Sequence, residues 1–213
     1  MKRFIPEEVI VEQGSESSPI YRNLRRTLDR VPFTFVDDIT TIRDNDFGAA
    51  DRFGAAKKKL YLAKHKGEFF KKCPGSDGQV CCNYFVINFA SNCPMDCSYC
   101  YLQEYLADNS QLKVFSNVGD LIEEADQVLT KHRGVFFRIG TGEITDSLAL
   151  EPYTGMVGAL MPYFIQQPNL LLELKTKSDC VDSLLDFDPK GRVVVAWSMN
   201  PQRVIDWDEN DTA

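Results

Sequence analysis

Three cysteines, Cys93, Cys97 and Cys100, fall within one short run, Asn92-Cys-Pro-Met-Asp-Cys-Ser-Tyr-Cys-Tyr-Leu-Gln103. Their spacing is C-x3-C-x2-C, with no fourth cysteine close behind. As thiolates they are ligands for soft metals and clusters. An ordinary four-iron cluster takes four cysteines. Three of them hold three irons of a cubane and leave the fourth iron open to a substrate or cofactor. An open iron is what reductive cleavage of S-adenosylmethionine requires, so the spacing points to a radical enzyme rather than an electron carrier.

The cysteines admit two other uses. A disulfide framework fits poorly, because the chain has seven cysteines, an odd number, and no secretory signal. The N-terminus, Met1-Lys-Arg-Phe-Ile-Pro-Glu-Glu8, lacks an apolar h-region, and no stretch is long enough to span a bilayer. The expected compartment is the reducing cytosol, with no membrane partner. Structural zinc usually takes two Cys/His pairs across a longer loop, and neither His65 nor His132 sits at that spacing. Zinc stays as the alternative metal.

Further along, polar residues close several apolar runs. Gly140-Thr-Gly-Glu143 offers glycines at Gly140 and Gly142 that let a ligand approach the backbone. Glu143 can accept a hydrogen bond from a cofactor ammonium, and Asp146 adds a nearby carboxylate. Lys177 suits a carboxylate or phosphate. Ser198 and Asn200 suit ribose hydroxyls, with both donors and acceptors to offer. Tyr99 could pack over an adenine, and Tyr101 could relay a hydrogen atom or electron; the plainer reading of both is packing. Cys73, Cys81 and Cys82 fit no standard four-ligand set, and Cys180 reads as structural.

The elements that must position these residues follow from periodicity. Before residue 80 the pattern predicts strands at 9–11 and 33–36, and a helix at 19–30 capped by Ser18. A lysine-rich helix is expected over 55–70. From residue 82 onward strands are expected at 83–89, 135–139, 169–174 and 192–197. Between them come helices at 101–107, 118–131, 152–164 and 181–185. The alternation predicts an α/β fold: a parallel sheet with helical crossovers, open or curled. Residues 1–80 read as a small α/β appendage and 81–213 as the first four β/α units. In such sheets ligands lie beyond the carboxyl ends of the strands, where the polar residues above fall. A closed barrel needs more strands, so the chain reads as a piece of a longer protein.

Composition bounds the partners. Of 213 residues, 44% are hydrophobic and 26% charged, as in globular proteins, and the net charge is −7. That argues against binding nucleic acid by overall charge. Yet Lys57, Lys58, Lys59, Lys64, Lys66, Lys71 and Lys72 face only Glu68 within their stretch. The run is either a phosphate-binding patch or a solvated helix face.

The cysteine loop with its Cys-Tyr-Leu-Gln ending resembles the radical SAM superfamily, and within it the spore photoproduct lyase family. The resemblance continues through Phe137-Arg-Ile-Gly-Thr-Gly-Glu-Ile-Thr-Asp146, Thr176 to Leu185, and Trp197-Ser-Met-Asn200. It implies a partial (β/α) radical SAM barrel. Cys93, Cys97 and Cys100 would hold a [4Fe-4S] cluster whose open iron chelates S-adenosylmethionine. It also implies catalytic roles for Tyr99 and Tyr101 and cofactor contacts for Lys177 and Ser198. The implied partners are UV-damaged DNA, with thymine dimers as substrate, and a low-potential electron donor of the flavodoxin or ferredoxin type. The family pattern has a hydrogen-donating cysteine where this chain has Glu143, and a carboxylate cannot donate a hydrogen atom as a thiol can. A radical SAM enzyme on a non-DNA substrate is therefore the alternative, and a non-catalytic iron–sulfur or zinc module the second.

Overall fold

The computed structural model describes residues 4–42, 52–73, 75, 78, 80, 83–210 and 212. Cys81 and Cys82 lie outside the described residues. The chain opens with β1 (Glu8–Glu12), α1 (Pro19–Thr27) and β2 (Phe33–Val36). The Ser18 hydroxyl accepts the Tyr21 N–H at 3.1 Å and so caps α1. Pro19 at its first turn gives up only an N–H that no intrahelical partner would take. Ile20 and Leu24, one turn apart, are the helix's buried face.

α2 (Arg52–Lys57) is short, and β3 (Lys59–Ala63) follows at once. The helix expected over 55–70 is thereby corrected: only its first residues are helical. Leu60-Tyr-Leu-Ala63 is buried throughout, and a strand covered on both faces shows no alternation to betray it. β4 (Phe70–Lys72) comes next, then β5 (Tyr84–Ile87), β6 (Ala90–Ser91) and β7 (Asp96–Cys97). α3 (Leu102–Tyr105) is a single turn, shorter than expected, and precedes β8 (Leu112–Phe115). α4 spans Val118–Lys131 as its apolar periodicity predicts, with Val118, Leu121, Ala125 and Leu129 buried.

β9 (Phe137–Gly140) leads into α5 (Glu151–Thr154) and α6 (Met156–Phe164). The single helix expected here is broken at Gly155, whose φ of +59° is left-handed. The buried Glu151 carboxylate then caps α6, accepting the N–H groups of Val157 and Gly158 at 2.7 and 2.9 Å. β10 (Leu170–Thr176), a 3-10 turn at Asp182–Leu184 and β11 (Val193–Trp197) follow. α7 (Gln202–Asp208) and β12 (Glu209–Asn210) end the described chain.

Two five-stranded sheets result, ordered β2-β1-β3-β8-β6 and β11-β10-β9-β5-β4. Within the second, β5, β9, β10 and β11 are parallel and adjacent in chain order, as a run of right-handed β/α units requires. β4 closes one edge antiparallel to β5. The sheets trade strands across residue 80: β4 joins the second sheet, while β6 and β8 join the first. One hydrophobic core serves both, running from Val9 and Leu60 through Leu112 to Ile139 and Leu172. A third, two-stranded pairing of β7 with β12 ties the end of the chain to the cysteine loop.

Candidate active site

The cysteine loop leaves the β5–β6 region and is fixed from several sides. Asn92 holds the turn in left-handed backbone at φ +68°, a conformation asparagine tolerates better than most residues. Its side-chain oxygen accepts the Cys93 N–H at 2.7 Å, and its amide donates to the Ser110 carbonyl. Lys57, only 7% exposed, reaches into the loop from α2, donating to the Met95 carbonyl and lying 3.6 Å from Asp96. This lysine is a strut of the loop, not part of a solvated basic face. From the far end, the β7–β12 register sets Glu209 opposite Cys97. Ser98 adds two bonds to Asp208, N–H to carbonyl at 2.8 Å and hydroxyl to carboxylate at 2.7 Å.

Cys93, Cys97 and Cys100 line one cleft of about 180 Å³ together with Tyr99, Tyr101, Gly142, Glu143, Lys177 and Ser198. None of the five described cysteines is in a disulfide. Burial pushes the Cys93 thiol up to about 12 and the Cys97 thiol up to about 11, against partial relief from the Lys57 charge. A metal cation that binds such a thiol displaces its proton. Among the described residues no three His, Cys, Asp or Glu side chains close on a single point as a metal-ion site would. Cys93, Cys97 and Cys100 lining one cleft are the set that would supply one sulfur to each of three irons of a cluster.

Beside the cysteines, the side chains of Lys177, Glu209, Tyr99 and Asn200 form one hydrogen-bonded group. The Lys177 amine donates to the Glu209 carboxylate at 2.7 Å and to the Ser198 carbonyl at 2.8 Å. The same carboxylate accepts from the Tyr99 hydroxyl and the Asn200 amide, and Asn200 also donates to the Tyr99 oxygen at 2.9 Å. Lys177 lies 5.9 Å from the Tyr99 ring centroid, within cation–π range. Burial alone would lower the Lys177 pKa and raise that of Glu209. Their mutual hydrogen bond, with Tyr99 and Asn200 adding to it, outweighs burial, so Lys177 is raised and Glu209 lowered. The Glu209 side chain is 3% exposed. Removing its lysine would strand a buried carboxylate, at a cost of about 3 kcal/mol or more.

The β9 terminus divides the expected roles. Gly140 does not face the cleft: a Cβ there would sit 1.8 Å from the Tyr84 hydroxyl, so its missing side chain makes room for Tyr84, not for a ligand. Gly142 does line the cleft, pressed against Lys175 and Ser147. Tyr101 donates its hydroxyl to the Glu143 carbonyl across the cleft mouth. Asp146 is consumed by structure: it accepts the N–H groups of Leu148, Ala149 and Lys177 and the Thr176 hydroxyl, at 2.7–2.9 Å. It therefore locks the β9 loop to the end of β10 and sets where Lys177 starts. Asn200 reaches the site through Tyr99 and Glu209.

Two residues escaped the sequence reading. Glu209 gave no signal, because the pairing that buries it joins residues 112 positions apart. Lys57 was hidden in a lysine run whose other members are largely exposed.

The chain matches the family model described as "Spore photoproduct lyase" over residues 4–213. Over 206 residues it is 27% identical to the spore photoproduct lyase of Bacillus subtilis (strain 168), covering 95% of this chain and 58% of that protein. A spore photoproduct lyase of Clostridium acetobutylicum is 23% identical over 201 residues, 92% of this chain and 57% of the relative. The chain thus spans less than two thirds of these relatives. Among solved structures, a spore photoproduct lyase mutant with bound AdoMet and dinucleoside spore photoproduct superposes with a TM-score of 0.86 at 23% identity. That match covers 100% of this chain and 62% of the other. The fold is the one expected from the resemblance, and the chain belongs to the spore photoproduct lyase family.

Proposed function

We propose that this chain carries the cofactor-cleaving part of a radical SAM lyase that acts on thymine-dimer photoproducts in DNA. The observation that carries the reading is the convergence of Cys93, Cys97 and Cys100 with Lys177, Glu143 and Ser198 on one cleft beyond the strand ends. A [4Fe-4S] cluster with S-adenosylmethionine supplies one-electron cleavage of the cofactor to methionine and a 5′-deoxyadenosyl radical. The three cysteines hold the cluster. Lys177 takes the cofactor carboxylate, its amine positioned by Glu209. Gly142 and Glu143 face the amino group, and Ser198 and Asn200 the ribose. Tyr99 offers an aromatic face, and Tyr101, which lines the cleft and donates to the Glu143 carbonyl, is the residue to relay a hydrogen atom.

Support for the substrate comes from the relatives, one of which is solved with AdoMet and a dinucleoside spore photoproduct. A low-potential flavodoxin or ferredoxin supplies the electron, and the free thiols suit the reducing cytosol. Among the described residues no helix is long and apolar enough to cross a membrane. Glu143 favours a second reading. It lines the cleft where the family pattern has a donor thiol, so a radical SAM enzyme on another substrate keeps every other assignment.

Anaerobically reconstituted, dithionite-reduced protein should form 5′-deoxyadenosine from S-adenosylmethionine, faster with a dimer-containing oligonucleotide than with undamaged DNA. A reduced cluster that forms none would falsify both readings. Equal stimulation by the two oligonucleotides would leave only the second.

A further inference from the structure

With Glu143 standing where the family pattern has a donor thiol, a reaction that returns a hydrogen atom to its substrate needs another weak O–H or S–H bond. The second sheet supplies one. Its register pairs Tyr84 with Arg138, Val86 with Gly140, and Gly140 with Glu173. Side chains two apart on a strand point the same way, so these residues share one face. Phe85, Phe137, Ile139, Leu172 and Leu174 turn to the other face and pack into the hydrophobic core.

Tyr84 starts level with Arg138, and its ring leans toward the strand ends. The hydroxyl lies over Gly140, where any Cβ would collide with it, and donates to the Glu173 carboxylate at 3.2 Å. The same carboxylate oxygen lies 3.3 Å from the Lys175 amine. Lys175, two residues and about 7 Å further along β10, lines the cysteine cleft. The glycine at the end of β9 thus lets a phenol come within one strand step of the cleft. Arg138 holds the ring in place, its guanidinium carbon 5.3 Å from the centroid. Glu173 is bonded to Arg138 at 2.7 Å as well as paired with Lys175, so its charge does not need the phenol. The hydroxyl also keeps its hydrogen: burial, and then the Glu173 charge, raises the Tyr84 pKa above the ordinary phenol value.

We propose that Tyr84 is a catalytic residue, the donor of the hydrogen atom that the substrate radical takes up after the thymine dimer splits. The inference rests on the lyase reading given above. The receiving thymine lies against Gly142, with the Tyr84 hydroxyl at its far edge. In the step the Tyr84 O–H bond breaks, a C–H bond forms on the substrate carbon, and a phenoxyl radical remains. One electron from the flavodoxin- or ferredoxin-type donor and one proton from water restore the phenol. The competing donor is Cys73, the neighbour of Tyr84 across the β4–β5 pairing, whose N–H donates to the Tyr84 carbonyl at 2.9 Å.

Repair of dinucleoside spore photoproduct in deuterium oxide, by the anaerobically reconstituted full chain, tests this. An exchangeable O–D donor leaves deuterium in the thymine product, whereas return of the atom from carbon leaves none. Tyr84→Phe, checked for folding by circular dichroism, should still form 5′-deoxyadenosine. Its repair rate should fall about tenfold or more with KM unchanged, the pattern of a group used only in the reaction step. Electron paramagnetic resonance of frozen turnover mixtures should show a tyrosyl radical that narrows with ring-deuterated tyrosine and is missing in Tyr84→Phe. In cluster-free protein, wild type and Tyr84→Phe should have equal tyrosinate absorbance at the pH of the assay. An ionised Tyr84 has no hydrogen atom to give and overturns the proposal. So does full repair by folded Tyr84→Phe, or deuterium that is lost in Cys73→Ala and kept in Tyr84→Phe. A wild-type product free of deuterium removes the donor and leaves the lyase reading standing. Wild-type protein that cleaves the cofactor but leaves the dinucleoside intact removes the lyase reading, and the donor with it.

Discussion

Cys93 and Cys97 would hold a cluster only as thiolates, yet burial favours the thiol form of both in the folded chain. Burial lifts them from an ordinary value of 9 to about 12 and about 11. Each folded thiol keeps its proton where the unfolded one has lost it. The contribution to stability is therefore full below pH 9 and disappears as pH climbs through 11 to 12. The same sign governs reactivity. In cluster-free protein, alkylation of these two cysteines by iodoacetamide should be slow at pH 8 and keep rising between pH 9 and 11. A rate that levels off near pH 9, followed by mass spectrometry of the labelled peptides, would contradict the burial argument. Reading such residues from sequence has a clear limit. The thiols declare themselves by spacing, because chemistry dictates it. Lys57 and Glu209 do not, because a lysine or glutamate looks the same in sequence whether solvated or buried, and their partners Met95 and Lys177 lie 38 and 32 positions away.

Among the elements, α4 was legible to the residue because one face is apolar and the other charged. β3 was not, since its residues are buried on both sides and follow a good helical start. The break between α5 and α6 shows how one residue can redirect an element. Gly155 sits at φ +59°, and a Cβ there would lie 2.7 Å from Asn23 Nδ2. That amide donates to the Thr154 carbonyl at 2.9 Å and so joins α1 to the α5 terminus. Gly155→Ala should cost about 1–3 kcal/mol from backbone strain and displacement of Asn23. Urea denaturation measures it, and a stability equal to wild type would show that the turn relaxes at no cost. In the sequence Gly155 is no more than a poor helix former inside the 152–164 periodicity. The positive φ is imposed by the packing of α5 against α1, which no local pattern displays.

For the whole molecule, the central fact is where the strands end. β5, β9, β10 and β11 run parallel in chain order, so their carboxyl ends and loops gather on one side. That layout was legible from alternation alone, and with it the neighbourhood of the cysteines, Glu143, Lys177 and Ser198. The first sheet was less so, because β6 and β8 join it from beyond residue 80 and share its core. The consequence is mechanical: the cysteine loop is braced by α2 on one side and by β12 on the other, so both halves of the chain set its geometry. The proposed function requires a cluster held by Cys93, Cys97 and Cys100, with one iron left for the cofactor's own amino and carboxyl groups. Electron–nuclear double resonance on the anaerobic, reduced protein, with S-adenosylmethionine carrying nitrogen-15 at its amino group, addresses that iron directly. A nitrogen-15 coupling of the size given by direct coordination is the predicted result. A reduced four-iron spectrum that stays unchanged when the labelled cofactor is added would contradict it.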